Sequence, residues 1–182
     1  MPKRRKDVII FDAPPVIAAW GSAGGKKESE GPLASGFDFI TQDAAFADED
    51  CANWEQAESM LQQKAAGVCL RKAGIAAKDV DLTFAGDLQA QCTASNYTLR
   101  TLATPFAGLY GACSTMTEAL CLGAAFASTG LARQVLAMTS SHFCAAERQF
   151  RTPLEYGAKR TPTAQWTATA AGACLLRSPG QG

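Results

Sequence analysis

The sequence predicts an α/β fold. Two observations carry that expectation. Short β-rich apolar runs alternate with longer segments of helical periodicity, and turns of small residues separate them. The bulk composition agrees. A length of 182 residues suits one domain, and 47% hydrophobic with 19% charged residues is globular rather than disordered.

Residues 1–15 form a basic tip around Lys3-Arg4-Arg5-Lys6. It reads as a flexible, solvated terminus, with contact to anionic lipid as the alternative. Val8-Ile9-Ile10-Phe11 follows, but Asp12, Pro14 and Pro15 interrupt the apolar run too early for a secretory leader. No later segment is long and apolar enough for a membrane span to be expected, so any membrane association is expected to be peripheral or through a partner.

The first strand is predicted at Val16-Ile17-Ala18-Ala19-Trp20, ending in the loop Gly21-Ser22-Ala23-Gly24-Gly25-Lys26-Lys27. That loop fails the Walker pattern, because its glycine spacing is one residue short and Lys27 stands where Ser or Thr holds magnesium. It reads as a flexible surface loop. Glu28 to Asp50 reads as a long irregular insertion. Asn53 is an N-cap with Gln56 three residues on, and Gly74 is a C′ residue, which together bound a helix. Its apolar face is predicted to carry Trp54, Ala57, Leu61, Ala65 and Val68, with Glu55, Glu58, Gln62 and Arg71 elsewhere.

A buried strand is expected from Val80 to Ala85, a shorter helix from Ala94 to Ala103, and a strand from Phe106 to Tyr110. Ser114 to Thr129 is apolar nearly all round and rich in small residues, so it reads as a helix buried on every side. A strand at Val135 to Thr139, a long polar loop from Ser140 to Thr163 and a last strand around Ala168 to Leu176 follow. Residues 178–182 read as a flexible, solvent-facing tail.

Several function classes are disfavoured by composition. Lys+Arg and Asp+Glu are both 17, giving no nucleic-acid footprint. Seven widely spaced cysteines with no C-x-x-C argue for thiols in a reducing compartment. With one histidine, a structural zinc site is not expected, and no acidic cluster has an EF-hand pattern.

Gly111-Ala112-Cys113-Ser114-Thr115-Met116 places a thiol between a strand and a helix start. The orphan N–H groups and the dipole there favour negative charge. They predict a lowered thiol pKa and a nucleophile, or else a seat for a ligand carboxylate, with the amides of Ser114 and Thr115 as donors. A small buried hydrophobe is the plain alternative. His142 stands just past a strand end, where ligands of open α/β sheets bind. It is open to a Cys–His pairing or to a structural hydrogen-bonding role. The stretch after it carries Glu147, Arg148, Arg151, Tyr156, Lys159, Arg160, Gln165 and Trp166. Arginine forks match carboxylates, and Phe143, Phe150 and Trp166 offer flat faces for a ring. A solvated loop or a dimer contact is the alternative.

Gly25-Lys26-Lys27-Glu28 and Glu30-Gly31-Pro32-Leu33 resemble the stage V sporulation protein AD family. So do Phe84-Ala85-Gly86-Asp87-Leu88 and the string from Gly108 to Met116. The strongest likeness is Thr139-Ser140-Ser141-His142-Phe143, running into Ala146-Glu147-Arg148-Gln149-Phe150-Arg151. Pro162-Thr163-Ala164-Gln165-Trp166-Thr167 completes it.

The resemblance implies that residues 16–177 are the N-terminal half of a thiolase-like fold. That half is a mixed sheet with a buried central helix, part of an α/β/α/β/α arrangement in the whole family. It implies a protein of endospore formation that binds dipicolinic acid or its calcium chelate for uptake into the developing spore. It implies action alongside other spore-membrane proteins of that transport system, a homodimer, and a cytoplasmic place peripheral to the spore inner membrane. No cofactor is implied. Cys113 matches the acyl-accepting cysteine of thiolase-fold enzymes. Those enzymes take a catalytic histidine and its His or Asn partner from a second half, which these residues do not include, and His142 does not match that position. A non-catalytic acid binder is therefore the expected function. Its ligand-binding candidates are Cys113, Ser114, His142, Glu147, Arg148, Arg151, Gln165 and Trp166. The alternative is an acyltransferase or condensing enzyme using Cys113.

Overall fold

The structure, a computed structural model, describes residues 2–42, 51–150 and 167–180, and of 148–150 the backbone alone. Strands β1 (Lys3–Arg5) and β2 (Val8–Ile10) make a separate hairpin. The other six strands are β3 (Val16–Gly24), β4 (Phe39–Ile40), β5 (Leu82–Gly86), β6 (Phe106–Gly108), β7 (Gln134–Ser141) and β8 (Ala170–Arg177). They form one sheet in the order β4-β3-β8-β7-β5-β6. The sheet is mixed. β8 runs antiparallel to both its neighbours, while the β3–β4, β5–β6 and β5–β7 pairs are parallel. The C-terminal ends of β3, β5, β6 and β7 therefore share one edge with the start of β8.

Helices α1 (Trp54–Ala73) and α2 (Thr93–Leu102) lie on one face, and α3 (Thr115–Thr129) lies on the other. Strand alternation divides the core accordingly. Leu136, Met138, Ala173 and Leu175 point towards α1, while Val135, Ala137 and Leu176 point towards α3. Leu61, Leu136, Met138 and Leu175 are fully enclosed, each worth about 1.5–3 kcal/mol relative to exposure.

α1 begins and ends where local chemistry predicts. The Asn53 side chain accepts the Gln56 N–H at 2.8 Å, and Gly74 closes the helix at φ 68°. Its buried surface is wider than the apolar stripe. Glu58 and Gln62, expected to face away, are fully buried beside Ala57, Leu61 and Ala65. α2 and the sheet edge cover that flank, which a single-helix pattern does not register.

Other elements also differ from expectation. β3 continues through Gly21–Gly24, where a flexible loop was expected. A Cβ at Gly21 would strike the Ala65 carbonyl and the Cys69 amide of α1. The glycine that looks like loop punctuation is what lets strand and helix backbones touch. Across the end of that loop and the expected irregular insertion from Glu28 to Asp50, single turns at Lys26–Glu30 and Ala34–Gly36 precede β4, and residues 43–50 lie outside the described ones. The expected loop from Ser140 instead gives the end of β7 and a helix, α4 (Phe143–Phe150). The basic tip is paired as a hairpin, and Ser178, read as the start of a free tail, donates its hydroxyl to the carbonyls of Ala127 and Ala132.

α3 is the largest departure. It buries only Thr115, Ala119, Gly123 and Ala127, one residue every four. Leu120, Leu122 and Phe126 are half-buried, and Cys121 is exposed. Among the described residues its main contacts are with the sheet, so its all-round apolar character is not matched by burial on every side. No helix of the described residues is long and apolar enough to cross a membrane.

Candidate functional site

The site lies at the shared strand edge. β6 leads through Leu109, whose N–H donates to the Ala85 carbonyl, into a tight turn at Ala112–Ser114 and then α3. The turn is strained: Ala112 sits at φ 48°, a left-handed value that costs a non-glycine residue about a kcal/mol or more. Gly86 lets the turn approach, since a Cβ there would strike the Leu109 carbonyl and the Thr115 methyl. Cys113 follows, exposed, at the start of the helix as its sequence position predicts.

The amides proposed as anion donors are already engaged. Ser114 N–H donates to the Gly111 carbonyl at 3.0 Å, and Thr115 N–H donates to the Ala112 carbonyl. The Ser114 hydroxyl also donates to Gly111, at 2.7 Å. The turn consumes these donors because its tight hydrogen-bonded ring closes one residue earlier than an α-helical one. Ser114 thus acts on the shape of the turn.

A pocket of about 430 Å3 opens over Cys113. Its described lining includes Leu88, Ala112, Met116, Thr139, Ser141, Thr167, Ala170 and Gly172. The walls are small and apolar. Two hydroxyls face neighbouring carbonyls: Thr139 donates to Gly86 at 3.0 Å and Ser141 to Ala168 at 2.6 Å. Cys113 carries the one ionisable side chain among the described residues of this lining.

His142 is not part of that lining. It is 1% exposed, its ring stacks on Trp54 at 6.5 Å, and it borders a smaller cavity of about 70 Å3 with Lys27, Glu28, Phe143, Cys144, Thr167 and Thr169. The structure therefore does not join Cys113 and His142 into a nucleophile pair. Phe143 borders this second cavity as well, not the one over Cys113. The two cavities share Thr167. Thr169 ties the first loop to α4: its carbonyl accepts from Gly25, its N–H donates to Glu28 at 3.1 Å, and its hydroxyl accepts from Phe143. Glu147 is half-buried on α4 and, after burial itself, helps to push up the Cys144 thiol pKa. The Arg148 side chain, Arg151, Gln165 and Trp166 lie outside the described residues.

Beneath this edge, on the α1 side, lies a polar network that the sequence reading missed. Glu58 accepts from the Ser140 hydroxyl and the Gln89 amide, both at 2.7 Å, and from the His142 backbone N–H. Gln62 donates to Ser140 at 2.7 Å and to Ser95 at 3.0 Å, and Ser95 donates to Asp87. Asp87 also accepts from Gln89 N–H at 2.9 Å. Burial pushes the Glu58 carboxyl up to about 7, with the nearby Asp87 charge adding to it and the three donors opposing. This network pins β5, β7 and the start of α4 to α1. The i, i+4 spacing of Glu58 and Gln62 was its only local trace.

Comparison with known proteins places this geometry. The family model for stage V sporulation protein AD (SpoVAD) matches residues 5–182. The chain belongs to the stage V sporulation protein AD family. Stage V sporulation protein AD of Bacillus subtilis (strain 168) is 41% identical over 176 residues, covering 96% of this chain and 51% of that protein. The chain thus spans about half the length of the curated relative it matches. Among solved structures, 3-oxoacyl-[acyl-carrier-protein] synthase III from Aquifex aeolicus VF5 superposes with a TM-score of 0.61 at 16% identity, over 92% of this chain and 55% of the enzyme. Acetamide-bound OleA from Xanthomonas campestris gives 0.62 at 13% identity, over 93% and 60%. These likenesses show the thiolase-like fold.

Proposed function

We propose that this sporulation protein binds a small flat diacid, dipicolinic acid or its calcium chelate, for uptake into the developing spore. It does so as a homodimer peripheral to the spore inner membrane, alongside other spore-membrane proteins. The observation that carries the reading is the lining of the pocket over Cys113. Leu88, Met116 and the small residues Ala112, Ala170 and Gly172 make an apolar slot fit for a ring. The described lining includes no histidine or carboxylate to act as a base. Charge pairing for the carboxylates is assigned to Arg148 or Arg151 on their chemistry, as planar forks that match a carboxylate.

Isothermal titration of dipicolinate into the chain tests this. Arg148→Ala is expected to weaken binding about tenfold or more, the worth of one charge-assisted contact. Met116→Trp, which fills the slot, is expected to abolish it. Unchanged affinity in Arg148→Ala removes that residue from the site. Absence of any binding by the parent chain sinks the reading.

One observation favours a second reading. Cys113 is exposed at the start of α3 behind a strained Ala112, a presentation suited to an acyl-accepting thiol. Incubation with acyl-CoA donors and intact-mass measurement separates the two. An adduct lost in Cys113→Ala favours acyl transfer, and no adduct favours the binder.

A further inference from the structure

The wall of the pocket over Cys113 is backed by buried carboxyls. Ser140 belongs to that wall, and its hydroxyl donates to Glu58 at 2.7 Å. Leu88, also in the wall, directly follows Asp87 in the chain. Glu58 and Asp87 are both buried. One carboxyl thus stands a single hydrogen bond behind the wall, and the other a single residue along the chain from it. Among the described residues, no cation pairs with either. The described titratable or charged groups that face Glu58 are Asp87, after β5, and His142, after β7, whose backbone N–H it accepts. α2 turns Ser95 and Thr98 towards α1, and the sheet turns apolar side chains towards it.

We propose that an anionic ligand enters this pocket together with a proton, which lodges on Glu58. The inference rests on the reading of the pocket as an acid site and adds what regulates it. A ligand carboxylate at the wall meets like charge behind it, through a thin layer of low-dielectric protein. Like charges disfavour the ionised form of a buried carboxyl, so an occupied pocket favours a protonated Glu58. The proton comes from solvent and ends on a carboxyl oxygen of Glu58, and no bond of the ligand changes. Glu58 is poised for this exchange, because burial has already pushed its carboxyl up to about 7 while three donors still favour the ionised form. The network also has room for an added hydrogen. Gln62 donates its amide to Ser140 at 2.7 Å, and its own Oε1 is buried with no hydrogen-bond partner among the described residues. That oxygen is the spare acceptor that one more hydrogen in the network requires. By linkage, proton and acid each tighten the binding of the other by the same factor.

Isothermal titration of dipicolinate into the 182-residue chain, repeated in buffers of different ionisation enthalpy, counts the protons. Ordinary carboxyls, the ligand's included, stay ionised between about pH 6 and about pH 8, so the ligand itself takes up none. If one neighbouring charge raises the hold of Glu58 on its proton about tenfold, uptake at about pH 7.5 is roughly half a proton per ligand. Affinity is then highest on the acid side and falls about fivefold from about pH 6 to about pH 8, because the occupied pocket keeps its proton to higher pH. Glu58→Gln, a neutral stand-in of the same size, is expected to bind without uptake and with a flat profile over that window. Circular dichroism checks its fold, and the proton count in the parent decides the matter if the variant does not fold. Binding without uptake overturns the proposal and leaves the acid-site reading standing. Uptake that persists in Glu58→Gln overturns it too, and loss of that uptake in Cys113→Ala would assign the proton to the thiol. Absence of dipicolinate binding at every pH sinks the acid-site reading, and this proposal with it.

Discussion

α1 meets the sheet backbone to backbone, whereas α3 meets it through side chains. On the α1 side, Gly21 lets β3 touch the Ala65 carbonyl and the Cys69 amide, and the buried polar groups Glu58, Gln62, Ser95 and Ser140 partner one another. On the α3 side, Gly123 faces the ends of Leu176 and Val135, and much of the helix surface is only half-buried. The difference teaches that the α1 layer carries the rigidity of this chain, while α3 and its N-terminal turn present the site from a looser mount. Close-packed backbone contacts cannot relax, but side-chain ends can.

The comparison can be broken most sharply at the glycines. Gly21→Val is expected to cost about 4 kcal/mol or more, because the clash is with backbone on both sides. Gly123→Ala is expected to change stability by about 1 kcal/mol or less, since Leu176 can shift and alanine favours the helix. Chemical denaturation of both variants checks the pair. Equal losses would remove the distinction between the two layers.

The buried network gives the next effect. Glu58→Ala is expected to destabilise by about 2–3 kcal/mol, leaving the Ser140 hydroxyl and the Gln89 amide without their acceptor. Its parent carboxyl also predicts a pH slope. The folded pKa, about 7, lies above the ordinary value of 4.5. Between those values the folded state holds a proton that the unfolded state has released. Stability is therefore fullest below about 4.5 and declines as pH rises towards about 7, by up to about 3 kcal/mol from this group. Melting temperatures across that window should fall with pH in the parent, and Glu58→Gln should flatten the slope. A parent as stable at pH 7 as at pH 5, relative to that variant, would place the carboxyl in a wetter setting.

Smaller effects mark the periphery. Asn53→Ala is expected to cost about 1 kcal/mol through loss of the α1 cap. Cys121→Ser, on the exposed side of α3, is expected to stay within about 0.5 kcal/mol in the same denaturation assay. A larger loss there would mean that the outward surface of α3 is covered in solution.

Chain-local signals were legible wherever one residue type has one physical job. Asn53 and Gly74 bounded α1, and the string Gly111 to Met116 placed Cys113 at a helix start. The sequence pattern offered the amides of Ser114 and Thr115 as donors, whereas hydrogen bonds within the turn engage both, and only coordinates show where an N–H is spent. His142 was rightly placed past the end of β7, yet its stacking on Trp54 sets it against a different cavity from Cys113.

By itself, the sequence determined the α/β class, the helix ends and the strand-to-helix turn that carries the thiol, because capping, periodicity and small-residue spacing act within a few residues. Tertiary structure alone decided that Glu58 and Gln62 are buried, that Gly21 belongs to a strand and that α3, among the described residues, buries only one stripe. Each of those outcomes depends on which surfaces meet across the sheet, and groups far apart in the chain set that contact.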